Sequence, residues 1–364
     1  LPKLSDAYDV EVMRRMINES DEPTVTTEGE APATTTTLPE YVFEKKDNSV
    51  LFSSLFWKPT TIPDLPVQVF EDTDWPEPAR VMIPDPDPNW VWSRKELEAF
   101  ALGIYNGDTI LLWGRQGTGK SCLAKEWCAT VRAPFWRINC NRDTRESHFL
   151  GSAGLTYNDK GQMFIKQEFT PLTDSLRYGG LFCEDEAFRH SSALVLQSLR
   201  EKSSRYLLLN DAPGMSSEDR KLKAPAGRWW YVMTDNTCGL GDETGTFDAE
   251  IQDISTLDRI DTTIECDYLN ESQEVTMLKK VSKLDPDILG KIAKVAKSIR
   301  QAVKSGTMVG TMSTRGVLSW VQKAEQLGSL GRAFQSAWYN KQTRDDQAIA
   351  KDLFFQVTGT TIED

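Results

Sequence analysis

The sequence predicts an α/β fold: a parallel, five-stranded αβα sandwich followed by a small C-terminal helical lid domain. Three observations carry that expectation. Continuous apolar runs of strand length alternate with helical spacing between residues 89 and 270. A glycine-rich loop follows the first of these runs and leads into a helix. From residue 271 onward the strand-like runs stop and helical periodicity takes over.

The elements follow in order. Leu97, Phe100, Ala101 and Ile104 share one helical face over 93–105. Thr109-Ile110-Leu111-Leu112-Trp113 is a continuous apolar run, the pattern of a strand buried on both faces. A helix is expected over Lys120–Val131, and further strands over 135–140, 180–184, 229–234 and 262–268. Strands alternating with helices imply a parallel sheet covered on both sides. In the C-terminal part, Asp285-Pro286 has the chemistry of a helix start, with Asp as N-cap and Pro in the first turn. Ile288, Ile292, Val295, Ile299 and Val303 recur at three- and four-residue steps, and Gly306 closes that helix. Three more helices are expected over Thr314–Leu327, 330–340 and 345–356. No internal repeat is visible.

Four segments result. Residues 1–48 are polar, acidic and Thr-rich, broken by Pro23, Pro32 and Pro39, and read as an arm without a core of its own. Residues 49–88 are apolar but proline-broken, consistent with short strands and an extended linker that either docks a partner or straps the main domain. Residues 89–270 form the αβα nucleotide-binding domain and 271–364 the helical lid.

Composition narrows the function. The chain has 364 residues, 39% hydrophobic and 26% charged, enough for a sizeable core and a soluble surface. A formal net charge of -12 argues against general binding to nucleic-acid phosphates. No apolar run approaches the roughly 18 residues of a membrane span, so no membrane partner is expected. The six cysteines form no CxxC pair and read as reduced thiols of a cytoplasmic protein, bacterial or phage-encoded in a bacterial host. With only two histidines, His148 and His190, a zinc or cobalt site built from His and Cys is not expected.

Gly114-Arg115-Gln116-Gly117-Thr118-Gly119-Lys120-Ser121 meets the pattern GxxxxGK[ST] between a strand and a helix. Glycines let the backbone curl so that its N–H groups face phosphate oxygens, and the helix start adds its positive dipole end. Gly114, Gln116, Gly117, Thr118, Gly119, Lys120, Ser121 and Cys122 are therefore the expected nucleotide-binding residues. Lys120 reaches the β- and γ-phosphates, and the Ser121 hydroxyl binds Mg²⁺. A second carboxylate site is expected where the run Leu181-Phe182-Cys183 ends in Glu184-Asp185-Glu186. Asp185 would hold Mg²⁺ and Glu186 would be the general base toward water, with Glu184 as its rival. Asn236 follows a strand and can hold the attacking water. Arg259, from a neighbouring subunit, and Arg315, at a lid helix start, are candidates to neutralise charge on the γ-phosphate. Read singly, each of these three is as compatible with an ordinary surface position.

From about residue 84 to 357 the chain resembles the MoxR branch of AAA+ ATPases, and within it the ATPase subunits of aerobic cobaltochelatase. Asp235-Asn236-Thr237-Cys238-Gly239-Leu240-Gly241-Asp242-Glu243-Thr244-Gly245 is similar to the family's NTxGLGDxTG run. Leu257-Asp258-Arg259, Met312-Ser313-Thr314-Arg315, Leu330-Gly331-Arg332-Ala333-Phe334, Tyr339-Asn340-Lys341 and Pro84-Asp85-Pro86-Asp87-Pro88 also resemble family segments. The resemblance implies Walker A at Lys120 and Ser121, Walker B at Asp185 and Glu186, sensor 1 at Asn236, sensor 2 at Arg315 and a trans-acting arginine at Arg259. It implies ATP and Mg²⁺, a homo-oligomeric, hexameric ring, and two partner-contacting hairpins. These are expected over 155–169, turning at Asn158-Asp159-Lys160-Gly161, and near 207–228, with turn chemistry at 210–214. It further implies a von Willebrand A domain partner and a large chelatase-type subunit that carries out the metal insertion. Two departures stand out: Thr314 replaces the proline of the family's MSPR segment, and the first 75 or so residues match poorly. The alternatives are a related remodelling ATPase with another client, phage- or mobile-element-encoded, or a slow-hydrolysing nucleotide-switch scaffold.

Overall fold

The computed structural model describes residues 43–44, 47–157, 160–190, 193–210, 212–241 and 251–363. The arm expected over 1–48 lies almost wholly outside them, as do Asn158, Asp159, Asp211 and the stretch Asp242-Glu243-Thr244-Gly245. Phe43–Asp364 forms one unit. Its strands, in chain order, are β1 (Ser49–Leu51), β2 (Pro66–Gln68), β3 (Thr109–Trp113), β4 (Phe135–Asn139), β5 (Ser152–Tyr157), β6 (Met163–Glu168), β7 (Gly180–Asp185), β8 (Tyr206–Leu208), β9 (Lys221–Lys223), β10 (Trp229–Asp235) and β11 (Thr262–Glu265).

Five of them build one parallel sheet in the order β11-β3-β10-β7-β4. Position in the sheet accounts for sequence character. The inner strands β7 and β10 are buried at every residue, and β3 at all but Trp113. The edge strands β4 and β11 mix buried and exposed positions. Helices on both faces leave water no access to the inner strands, so their runs are apolar throughout. Register then levels the strand ends: Asp235 pairs with Trp113, Thr234 with Asp185, and Asn139 with Asp185. The loops leaving β3, β7 and β10 therefore emerge at one edge, where open α/β sheets place ligands.

The proline-broken segment before the sheet joins the same core. β1 and β2 pair antiparallel, and one-turn helices occupy Phe52–Leu55 and Glu77–Arg80, which the expected strands and linker did not include. Phe52, Leu65, Val67, Phe70, Trp75 and Ala79 are buried in the cluster that holds the sheet. The fully buried Glu98 fixes the strap: its carboxylate accepts from Trp57 Nε1 at 2.9 Å and from the Thr61 backbone N–H at 2.7 Å. The two expected hairpins are present as β5–β6, pairing Leu155 with Ile165, and β8–β9, pairing Leu207 with Leu222.

A second hydrophobic cluster belongs to the helices after residue 271. Glu271–Val281, not singled out from the sequence, starts at an Asn270/Gln273 capping box. Pro286–Lys304 starts at Asp285, whose side chain accepts from the Asp287 N–H. Ile292 and Ile299 on its inner face are 0% exposed, each worth about 1.5–3 kcal/mol of burial. Thr314–Leu327 is capped by Ser313 and Arg344–Thr358 by Thr343. Two boundaries differ from expectation. The helix expected over 330–340 ends at Ala337, because Trp338 leaves helical geometry (φ -139, ψ -49) to donate its indole N–H to the Thr311 carbonyl, and a 3-10 turn follows. The strand expected over 262–268 stops at Glu265, and Tyr268 turns away toward the glycine-rich loop. Among the described residues, no helix is long and apolar enough to cross a membrane.

Candidate nucleotide site

β3 delivers the chain into the loop 114–119, which reverses direction before the helix Lys120–Val131. Two glycines there are fixed by space as well as by φ. A Cβ on Gly114 (φ 141) would sit 2.2 Å from the Cys266 carbonyl oxygen, and one on Gly117 (φ 74) would sit 2.5 Å from Ser313 Cβ. The loop thus lies in contact with both the end of β11 and the start of the lid helix Thr314–Leu327. Lys120, first residue of its helix, donates from Nζ to the Gly114 carbonyl at 2.7 Å, the Arg115 carbonyl at 3.0 Å and Asn236 Oδ1 at 3.1 Å. Burial lowers its pKa, against the raising pull of Cys266, Asp235, Asp185 and Glu186.

The three consecutive acids have three different environments. Glu184 is fully buried. Its carboxylate accepts from Arg200 Nη2 at 3.0 Å on both oxygens, bonds to His190 Nε2 at 2.8 Å and accepts from the Tyr231 hydroxyl. Burial alone would push it up, but Arg200, His190 and Tyr231 outweigh that and hold it at about 2. Cys140 is close enough to complete a Cys-Glu-His grouping of metal-ligand type. However, the Arg200 guanidinium already neutralises that carboxylate, so a cation there would meet a fixed positive charge. Asp185 ends β7 and is paired with Arg137 on β4 and with the Thr234 hydroxyl on β10. Glu186 follows in left-handed conformation (φ 60, ψ 46), with its carboxylate 3.0 Å from Arg189. Burial, then nearby Asp185 and Asp235, raise its pKa against the lowering effect of Arg189. The turn is braced by Asp235, which accepts from the Phe188 N–H at 3.0 Å and the Thr237 N–H at 2.9 Å.

These groups line one cleft of about 660 Å³, within the usual range of ligand pockets. Gln116, Gly117, Thr118, Gly119, Lys120, Ser121 and Cys122 border it, with Asp185, Glu186, Asn236 and Arg315 across from them. Trp90, Val91, Leu269, Met277 and Leu318 supply its apolar lining, with Trp90 against Gly119 of the glycine loop. Gly114 reaches the site only through its carbonyl, and Arg259 lies off the cleft, its guanidinium bonded to the Ser255 carbonyl. Glu184 is enclosed behind the sheet edge and does not border the cleft, which separates it from Glu186. Arg137, Asp235, Arg200 and the apolar lining were not found from the sequence. Each depends on partners brought together by the fold, without a local spacing signal.

The lining suits a nucleoside triphosphate: it combines an ammonium, a glycine-rich loop at a helix start and apolar side chains. Ser121 and Asp185 border the cleft and carry oxygen donors of the kind Mg²⁺ takes. Residues 109–243 match the family described as AAA domain (dynein-related subfamily). The chain is a P-loop ATPase with an AAA domain. It is related to the aerobic cobaltochelatase subunit CobS of Sinorhizobium sp., 25% identical over 320 residues, which cover 84% of this chain and 94% of that protein. An uncharacterized protein of Staphylococcus haemolyticus is 32% identical over 87 residues, 24% of this chain and 33% of that protein. Among solved structures, a putative ATPase from Cytophaga hutchinsonii aligns with a TM-score of 0.38 and 18% identity, covering 74% of this chain and 82% of that one. In this P-loop ATPase, β3, β7 and β10 lead into the glycine loop, Asp185, Glu186 and Asn236 at the cleft, while the helical region contributes Arg315.

Proposed function

We propose that the chain is a Mg-ATP-driven motor that works as a homo-oligomeric, hexameric ring and remodels a partner complex. The observation that carries this reading is that Lys120, Glu186, Asn236 and Arg315 share one cleft while Arg259 lies off it. An arginine placed off its own copy's cleft is free to serve the cleft of a second copy. In this reading Lys120 binds the β- and γ-phosphates, and Asn236, now bonded to Lys120, orients the attacking water. Glu186 takes that water's proton at its carboxylate, and Arg315 balances charge from the lid side. Ser121 and Asp185 would hold Mg²⁺, which would supply neutralisation of phosphate charge, and Arg137 and the Thr234 hydroxyl orient the Asp185 carboxylate.

The relationship to CobS supports a metal-chelatase client, with a von Willebrand A domain protein and a large chelatase-type subunit as partners and a cytoplasmic setting. The β5–β6 hairpin is the surface we assign to partner contact, since Leu155, Tyr157, Met163 and Ile165 are all more than half exposed there. Mixing Arg259→Ala subunits with unaltered ones tests the ring. Activity should fall more steeply than the fraction of unaltered chain, and strict proportionality removes Arg259 as a trans-acting group. Capture of partners on the ATP-loaded ring, read by mass spectrometry, tests the client. Recovery of both named partner types supports chelation, and recovery of unrelated clients alone rejects it.

A further inference from the structure

Tyr268 leaves the end of β11 and donates its hydroxyl proton to the carbonyl oxygen of Gln116 in the phosphate loop, at 2.7 Å. The Tyr268 hydroxyl oxygen also lies 3.4 Å from Thr311 Oγ1. Its ring is covered by Arg300, whose guanidinium carbon is 4.1 Å from the ring centroid. Arg300 is itself fixed. Nη1 and Nη2 donate to the two oxygens of Glu274 at 3.0 and 2.8 Å, and Nε donates to the Met312 carbonyl at 2.8 Å. Both side chains are nearly enclosed, Arg300 at 10% and Glu274 at 1% exposure.

These contacts converge on the turn Thr311-Met312-Ser313, which begins the helix carrying Arg315. Trp338 holds the Thr311 carbonyl from one side, Arg300 holds the Met312 carbonyl from another, and Ser313 packs on Gly117 of the phosphate loop. The phosphate loop and the Arg315 turn are therefore joined directly by packing at Gly117 and indirectly through the Tyr268 hydroxyl, which bonds Gln116 and approaches Thr311. Burial raises the Tyr268 phenol, against the opposing effects of Thr311, Arg300 and Arg115, so it remains a donor at neutral pH.

We propose that Tyr268 is a positioning residue for ATP turnover: clamped by Arg300, it ties the Gln116 carbonyl to the Thr311–Ser313 turn and sets where Arg315 stands when the phosphate loop is filled. This rests on the reading that Arg315 acts at the nucleotide. A side chain that acts this way alters kcat through Arg315 and leaves the affinity for nucleotide largely alone, whereas a merely structural side chain alters folding and binding together.

Tyr268→Phe deletes the hydroxyl and keeps the ring beneath Arg300. In the full chain, kcat should fall about 3- to 10-fold, the effect of one hydrogen bond, with Kd for N-methylanthraniloyl-ATP within about 2-fold and the melting midpoint unchanged. In an Arg315→Ala background the same substitution should lower kcat no further, because the group it positions is gone. A Tyr268→Phe chain with full kcat overturns the proposal, as does a double variant whose loss equals the product of the two single losses. Arg315→Ala with unaltered kcat sinks the reading of Arg315 instead, and is seen in the single variant alone.

Discussion

Glu186→Gln should bind ATP about as well as the parent chain and turn it over at least 100-fold more slowly, the scale of losing a general base. The substitution keeps side-chain length and the polar face toward the cleft while removing the proton acceptor. Binding is expected to persist because Lys120 and the glycine loop, which the proposal assigns to the phosphates, are unaltered. The raised pKa of Glu186 is favourable for its task, since a carboxylate closer to neutrality is a stronger base. Single-turnover hydrolysis together with equilibrium binding of labelled ATP separates the two effects. Hydrolysis within 3-fold of the parent would remove Glu186 as the base, and the enclosed Glu184 offers no substitute.

Arg200→Leu is the substitution expected to cost most stability. It leaves the enclosed Glu184 without its guanidinium partner, with His190 and Tyr231 still beside it. Removing one member of a buried ion pair typically costs about 3–5 kcal/mol, measurable by urea unfolding. Changing Glu184 to Gln in the same chain should recover part of the loss, because the uncompensated charge is then gone. A loss below about 1 kcal/mol in the single variant would show that the network is not anchored by this pair. The pH dependence has a definite sign. Glu184 is held at about 2, against 4.5 for an unperturbed glutamate, so its contribution is full above about pH 4.5 and lost as pH falls toward 2. In Arg200→Leu the main lowering influence is absent and burial pushes the carboxyl upward. The acid loss of stability across that window should flatten or reverse.

The parts of the fold readable from sequence were those encoded by neighbours in the chain. Thr109–Trp113 shows as an apolar run because helices cover both its faces, and the glycine-rich loop shows because all its functional atoms come from one short stretch. The helix Thr314–Leu327 has the bounds expected from its helical spacing, and the structure adds Ser313 and Gly328 as its caps. Contacts between distant residues left no comparable trace. Arg137 meets Asp185 across 48 residues, and Tyr268 meets Gln116 across 152. Arg200 reads locally as a basic residue near the end of a helix, and only the fold reveals it as the counter-ion of Glu184. The edge strand β11 was drawn too long because its apolar character continues into residues that leave the sheet to meet the phosphate loop. The Asn270 start signal was present in the sequence and was passed over.

The left-handed backbone at Glu186 has a consequence for how this ATPase can change over generations. A non-glycine residue held there costs about 1 kcal/mol or more, and glycine would adopt the same conformation without that strain. Selection for thermal robustness alone would therefore favour glycine at position 186 and discard the carboxylate. Keeping an acid at this turn is a standing concession of stability to chemistry, so heat-tolerant variants of the chain should gain their stability elsewhere.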